Sequence, residues 1–244
     1  MPKLVITKED VAKTLEARDK LLHNYVDDEK ELDETFSQYQ PSANHKDNVE
    51  EKIKQLNARY STMAPKEIAK YMADKTMDVD NRIDAGDPTV AHEIAKIKIG
   101  NKSSQNRFVF ATKYCSFQNP GCYPIFDAYV GEVFERLRSV LDCGPYSIEC
   151  FRDKYWDGNK DCGYLRYKNV YDRFIELFGD AFPSKDYRTI DHYIWTSRKI
   201  ASMKPSKKWT DEQMNLYNKI KASAINSFMI ENPKNNQQSI NTKQ

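Results

Sequence analysis

The scarcity of glycine is the feature that most limits what this chain can fold into, because only 8 glycines and 10 prolines are spread over 244 residues. Sandwiches and barrels need many tight turns, and nucleotide-binding α/β folds need glycine-rich loops. The chain has too few glycines for either class of fold. Hydrophobic residues make up 39% of the chain and charged residues 30%, which is typical of a globular protein and not of a disordered or membrane-embedded one. The composition therefore favours an all-α protein.

Apolar residues recur at helical spacing along most of the chain, which predicts a multi-helix globular bundle. Thr7 and Asp10 form a helix start signal, and residues 7–39 are predicted to be a charged helical hairpin or one long helix. The other predicted helices cover residues 46–60, 65–74, 87–98, 105–118, 127–142, 164–178, 186–201 and 209–230.

Composition also divides the chain into three parts. The polar, proline-marked stretch 40–45 predicts a linker, so residues 1–42 are interpreted as a charged helical extension and residues 43–231 as the main domain. The tail, residues 232–244, has too little apolar surface to offset the entropy cost of ordering, and it is predicted to be disordered.

The sequence predicts neither membrane insertion nor a metal or cofactor. No run of 18 apolar residues exists, and the charged start of the chain lacks the apolar core of a signal peptide, so a cytoplasmic protein is expected. The 5 cysteines form no C-x-x-C pair and no zinc-binding spacing, so they are predicted to be free and mostly buried thiols. They are Cys115, Cys122, Cys143, Cys150 and Cys162.

Basic residues are concentrated in two windows that contain no acidic residue, between Glu93 and Asp127 and between Asp191 and Asp211. If the fold brings the windows together, they form a surface suited to the DNA backbone, because lysine and arginine release condensed counterions on contact. Otherwise they are ordinary solvated helix ends and loops. The basic residues are Lys96, Lys98, Lys102, Arg107, Lys113, Arg198, Lys199, Lys204, Lys207 and Lys208.

Residues 106–130 form the most distinctive stretch of the sequence. Their first half has the apolar spacing of a buried helix, which must end before Pro120. The extended residues 121–126 then bring Asp127 to the first turn or N-cap of a new helix, where free backbone amides favour a carboxylate. Asp127 is either a plain N-cap or a functional carboxylate presented by this proline-containing elbow.

This order of elements resembles the helix-hairpin-helix DNA glycosylases, the superfamily that includes 8-oxoguanine glycosylase. In that family a hairpin binds the DNA backbone, a helix follows, and an Asp that serves base excision comes after a proline-containing elbow. The matching parts here are residues 99–103 for the hairpin, 105–117 for the helix and 123–127 for the elbow, and residues 187–195 resemble the closing helix of glycosylase-like bacterial proteins. The resemblance covers roughly residues 60–201.

The resemblance implies an enzyme that excises a damaged or modified base from double-stranded DNA, with Asp127 activating water or stabilising the oxocarbenium ion. Members that also cleave the strand carry a lysine nucleophile about eighteen to twenty residues before the Asp. Arg107, Phe108 and Val109 stand there in this chain, so a monofunctional enzyme is predicted. Lys113, 14 residues before Asp127, is instead the candidate for a phosphate contact or an ion pair with Asp127.

The same resemblance implies a DNA-binding surface and a pocket in which aromatic side chains hold the flipped base. The DNA-binding candidates are Asn101, Lys102, Ser103, Arg107, Arg198 and Lys199. The pocket candidates, each of which has core packing as its competing interpretation, are Tyr123, Phe126, Tyr193 and Trp195. The alternative function is a non-catalytic helical module that binds nucleic acid or protein. A concave, partly apolar pocket around Asp127 would favour the enzyme.

Overall fold

A computed structural model describes residues 4–39, 45–99, 107–141 and 163–231 of the chain. All regular structure within these ranges is helical, which confirms the predicted all-α class. The helices are α1 (Lys8–Leu21), α2 (His23–Gln38), α3 (Lys46–Tyr60), α4 (Ile68–Met72), α5 (Val79–Asp84), α6 (Pro88–Lys96), α7 (Phe108–Gln118), α8 (Ala128–Arg136), α9 (Arg138–Leu141), α10 (Gly163–Phe178), α11 (Tyr187–Ser202), α12 (Asp211–Lys221) and α13 (Ala224–Glu231).

The first two helices form a pair that is broken at a single residue, Leu22. Thr7 caps α1, because its hydroxyl accepts a hydrogen bond of 3.1 Å from the amide of Asp10. Arg18 on α1 contacts Glu29 on α2 through an ion pair, which holds the two helices together. Residues 7–39 are therefore two packed helices and not one long helix.

These N-terminal helices share one hydrophobic core with the later helices. Leu32 and Phe36 of α2 are at most 1% exposed and belong to the same apolar cluster as the centre of α7. The ring of Phe36 packs against Tyr114 and Phe117 of α7, with ring centres 5.2 and 5.5 Å apart. The described part of the predicted extension, residues 4–39, is thus continuous in its packing with the helices that follow.

The centre of the core is aromatic and is built around α10. Tyr164, Tyr167, Tyr171 and Phe174 are all fully buried, and their spacing of three, four and three residues places them on one helical face. Each tyrosine must satisfy its hydroxyl inside the protein, because an unpaired buried hydroxyl costs about 1–3 kcal/mol. The partners of these hydroxyls, described below, connect α10 to the candidate site.

Several predicted helix bounds differ from the structure. The predicted helix 127–142 is divided at Leu137 into α8 and α9, and the predicted helix 209–230 is divided at residues 222–223 into α12 and α13. The short helix α5 is absent from the predicted set, because six residues contain too few turns for a periodic apolar pattern.

Some predictions fall on residues outside the described ranges. These are most of the hairpin, with Asn101, Lys102 and Ser103, the segment 142–162 with three of the cysteines, and the tail 232–244. Of the described thiols, Cys115 is buried and Cys122 is partly buried, and both are free. Within the described ranges no helix combines the length and the apolar character needed to span a membrane.

Candidate functional site

The elbow that leads to Asp127 is held from two sides. On one side, the amide of Phe126 donates a 3.1 Å hydrogen bond to the hydroxyl of Thr112 on α7. On the other side, Tyr164 donates to the carbonyl of Pro124 at 3.0 Å and Tyr167 donates to the carbonyl of Ile125 at 2.6 Å. Both tyrosines belong to the buried face of α10, so the core fixes the position of the elbow.

Asp127 is the N-cap of α8, as the sequence predicts. One carboxylate oxygen accepts a 2.8 Å hydrogen bond from the amide of Tyr129, and the residue has extended backbone angles. Within the described part of the chain the second oxygen accepts no hydrogen bond, and the side chain is only partly buried. Capping therefore leaves one carboxylate oxygen available to the space in front of the helix.

That space is a small, partly open cleft, to which Asp127 and Lys113 both contribute. Its lining residues come from α1, α2, α3, α7, the elbow and α11. They are Arg18, Tyr25, Glu29, Tyr60, Lys113, Ile125, Asp127, Asp191, His192 and Trp195. In the described ranges no group of three or more His, Cys, Asp or Glu side chains is arranged to hold a metal ion.

Lys113 extends from α7 and is only 6% exposed. Its ammonium nitrogen lies 3.9 Å from the centre of the Tyr60 ring and makes no hydrogen bond or ion pair with any described residue. Burial lowers the pKa of Lys113, although the negative charges of Asp127, Asp191 and Glu29 oppose this shift. The predicted ion pair with Asp127 is not formed within 4.0 Å, and the buried position excludes a surface phosphate contact.

Glu29 organises one wall of the cleft. It forms ion pairs with Arg18 and with Arg188, whose Nε lies 3.4 Å away, and the Nε2 of His192 lies 2.9 Å from its Oε1. Burial alone would raise the pKa of Glu29, but His192 and the two arginine charges lower it overall. Arg188 also binds both oxygens of Asp33 at 2.8 Å. This network fixes α1, α2 and α11 relative to one another.

Asp191 is the third carboxylate in the cleft, next to His192 on α11. Its Oδ1 accepts a 2.9 Å hydrogen bond from the hydroxyl of Tyr171, a residue of the buried face of α10. Burial raises the pKa of Asp191 to about 6. The cleft thus holds three carboxylates, Glu29, Asp127 and Asp191, each with different surroundings.

Aromatic rings form the remaining wall of the cleft. Tyr25 and Trp195 meet edge to face, with ring centres 5.0 Å apart. The ammonium of Lys199 lies 5.1 Å from the centre of the Tyr25 ring and 5.9 Å from that of Trp195, which places it beside the cleft. Of the four predicted pocket aromatics, Trp195 lies in the cleft wall.

The other three predicted pocket aromatics do not line the cleft. Tyr123, Phe126 and Tyr193 are all 0% exposed and are packed in the core. The hydroxyl of Tyr123 donates to the carbonyl of Asp87 at 2.8 Å, and that of Tyr193 donates to Asp10. Their assignment to a base pocket is therefore corrected to core packing.

The predicted DNA-binding residues are in different environments. Arg107 donates to the carbonyl of Ile97 at 2.9 Å, and Arg198 pairs with Glu132 at 3.0 Å, so both guanidinium groups have partners inside the protein. Lys199 packs on the aromatic wall. The exposed cations of the second basic window follow α11 and are Lys204, Lys207 and Lys208.

Sequence reasoning missed most of the cleft. Arg18, Tyr25 and Glu29 lie in the segment interpreted as a separate extension, and Tyr60 lies at the end of α3. Only tertiary packing brings these residues to Asp127, so no local spacing identifies them. Asp191 and His192 are adjacent in the stretch 187–195, but no local spacing predicts that they line the cleft.

Fold and cleft together define an all-helical protein whose charged cleft is assembled from distant parts of the chain. A family model named HI_0787_N, described as an N-terminal domain, matches residues 10–121, which end before Asp127 and Asp191. The chain is 36% identical over 118 residues to an uncharacterized protein of Haemophilus influenzae, covering 48% of this chain and 49% of that protein. The match therefore spans about half the length of that relative. No solved structure matches the chain.

Proposed function

We propose that this protein is a DNA glycosylase that excises a damaged or modified base from double-stranded DNA, with Asp127 acting on the reacting sugar. The observation that carries the proposal is that Asp127 and Lys113 line one partly apolar cleft together with aromatic rings. A plain N-cap would not require a cleft in front of it. The order of helix, elbow and Asp in the sequence supports the same reaction class.

The chemistry of base excision suits a partly buried carboxylate. Breaking the glycosidic bond develops positive charge on the sugar, and a negative charge nearby stabilises it more strongly where water is excluded. The same carboxylate can take a proton from the attacking water. Asp127 has an oxygen available for either role, because only one of its oxygens caps α8.

The aromatic wall suits the flat face of a base. Enzymes that act on bases take the target out of the helical stack and hold it against aromatic side chains. Tyr25, Tyr60 and Trp195 line the cleft and are proposed for this role. Lys199, beside this wall, and the exposed Lys204 and Lys207 after α11 are proposed to contact DNA phosphates.

The decisive experiment uses Asp127→Asn. Duplex oligonucleotides containing 8-oxoguanine, hypoxanthine, uracil or 7-methylguanine are incubated with the protein, and abasic sites are revealed by alkali. Asparagine is also a good N-cap, so stability should change by less than about 0.5 kcal/mol. Base release should fall at least about 100-fold, because the carboxylate charge is lost.

The matched control is Asp186→Asn. Asp186 caps α11 by accepting a 2.7 Å hydrogen bond from Thr189, and it does not line the cleft. This variant should retain base release. Undiminished release by Asp127→Asn would contradict the proposal.

A separate experiment tests whether Lys113 attacks the sugar. If borohydride traps a covalent complex between a lysine and the sugar in the wild type but not in Lys113→Met, a mechanism in which Lys113 is the nucleophile replaces the monofunctional one.

A non-catalytic helical module that binds nucleic acid or protein is the second candidate. It is favoured by the ordinary capping geometry of Asp127 and by the exposed Lys204, Lys207 and Lys208. DNA binding without release of any base in the panel would support this function. Binding to a nucleic-acid backbone should weaken steeply with added salt, because it depends on counterion release.

A further inference from the structure

Glu29 is ion-paired to Arg18 and Arg188, whereas the other two carboxylates of the cleft, Asp127 and Asp191, make no ion pair with a described residue, and their surroundings differ. Asp127 lies at a helix N-terminus, where backbone amides favour negative charge, and it accepts one amide hydrogen bond. Asp191 lies within α11 and accepts a hydrogen bond from Tyr171 of the buried aromatic face. Pairs of acidic groups in one site that differ in this way commonly divide the roles of base and acid between them.

We propose that Asp191 is the general acid of the cleft and donates a proton to the departing base. The inference rests on the proposed glycosylase function and adds the group that makes the base a better leaving group. Asp191 lines the same cleft as Asp127, and among the described residues its second oxygen accepts no hydrogen bond. That oxygen is free to hold the proton and to donate it.

The surroundings of Asp191 favour its protonated form more than water does. Burial raises the pKa of Asp191 to about 6. The residues that face it from other elements are Lys113 on α7 and Tyr171 on α10, which lower the pKa, and Asp127 at the end of the elbow, which raises it. His192, its neighbour on α11, also lowers it.

The other polar groups of the cleft are less suited to this role. Arg18 cannot release its proton at any physiological pH. The Nε2 of His192 lies 2.9 Å from Glu29, so this nitrogen already has a partner. Burial would raise the pKa of Glu29, but His192, Arg18 and Arg188 lower it overall, so this carboxylate is not suited to hold a proton. Lys113 has its ammonium against the ring of Tyr60. Asp191 is therefore the acid that the geometry favours.

The proposed step balances as a hydrolysis. The bond between the base nitrogen and the sugar C1′ breaks, and its electron pair stays with the nitrogen, which takes the proton of Asp191. A water oxygen bonds to C1′, and Asp127 takes the proton that this water releases. Proton exchange with solvent then returns Asp191 to its acid form and Asp127 to its carboxylate form. One water is consumed, and the free base and an abasic sugar are produced.

The test measures single-turnover base release between pH 5 and pH 9, on the duplex lesion that the wild type processes fastest among the four in the panel. In the wild type the rate should fall about 10-fold per pH unit above the pKa of Asp191, because only the acid form donates. Tyr171→Phe removes a hydrogen bond that lowers this pKa. The fall in rate should therefore move to higher pH in Tyr171→Phe.

The variant Asp191→Asn provides a second test of the proposed acid. It should lose at least about 100-fold in rate on 8-oxoguanine, hypoxanthine or uracil, which leave as neutral bases only when protonated. On 7-methylguanine, which is already cationic, the loss should be much smaller. A merely structural role would reduce release of both kinds of base equally, and that result would overturn the inference.

The outcomes separate the two proposals. If the wild type releases no base, the glycosylase function is wrong and the role of Asp191 is wrong with it. If Asp127→Asn is inactive while Asp191→Asn keeps the wild-type rate and pH profile, only the role of Asp191 is overturned. If Asp191→Asn does not fold, the pH profile of Tyr171→Phe decides, since an unshifted profile contradicts the inference.

Discussion

The buried side chain of Lys113 is expected to lower the stability of the protein. Lys113 is buried without a hydrogen bond or ion pair among the described residues, so replacing it by methionine should stabilise the protein by about 1–2 kcal/mol at pH 7. The exposed variant Lys98→Met is the control and should change stability by less than about 0.5 kcal/mol. Urea unfolding measures both values. A Lys113→Met protein less stable than Lys98→Met would show that the ammonium supports the fold.

The pH dependence of stability tests the same residue. The pKa of Lys113 is lower in the folded protein than its usual value of 10.5, so the unfolded chain binds more protons between these two values. Stability, measured by urea unfolding at a series of pH values, should therefore rise with pH across that window in the wild type. In Lys113→Met this rise should be reduced. An equal rise in both proteins would assign it to other groups.

At the residue scale, sequence reasoning could identify Asp127, because capping chemistry after a proline-containing elbow is local. It could not decide which aromatic residues line the cleft. The sequence around Tyr123 and Trp195 does not distinguish a core residue from a cleft residue. Only the packing shows that Tyr123 lies in the core and Trp195 in the cleft wall.

At the scale of elements, the elbow and α10 act as one unit. Tyr167→Phe removes the hydroxyl that donates to the carbonyl of Ile125, so it should cost about 1–2 kcal/mol and should also slow base release by loosening Asp127. Tyr217→Phe is the matched control, because that hydroxyl donates to the carbonyl of Met203 at 2.9 Å, outside the cleft. It should cost similar stability in urea unfolding but keep the activity. Equal activity of the two variants would contradict the positioning role of α10.

The helices themselves could largely be predicted, since apolar spacing and caps are local signals. Their pairing could not. The hydrogen bonds from α10 to the elbow join residues 40 and 42 positions apart, and the intervening residues contain no pattern that specifies this contact. The break at Leu137 is also hidden in the sequence, because the apolar spacing continues through it from α8 into α9.

At the scale of the whole molecule, the polar stretch at residues 40–45 predicts a boundary, and described helices on both sides of it contribute to one apolar cluster. Charge and proline content report solvent exposure of a connection, but they do not report which core the flanking helices join. Arg18 and Glu29 line the cleft from helices on the far side of that connection, so the candidate site depends on both parts of the chain.

Phe36→Ala tests whether the two parts unfold together. Phe36 of α2 is 1% exposed and packs on α7, so truncation should lower the free energy of unfolding by about 3–5 kcal/mol in a single cooperative transition. Leu177→Ala, at a residue that is 40% exposed, is the control and should cost far less. Urea unfolding followed by both circular dichroism and tryptophan fluorescence measures the two variants. In a shared core, the loss of Phe36 destabilises every helix that contributes to that core. Two separate transitions, with the later one unchanged by Phe36→Ala, would therefore show that α1 and α2 unfold as an independent unit.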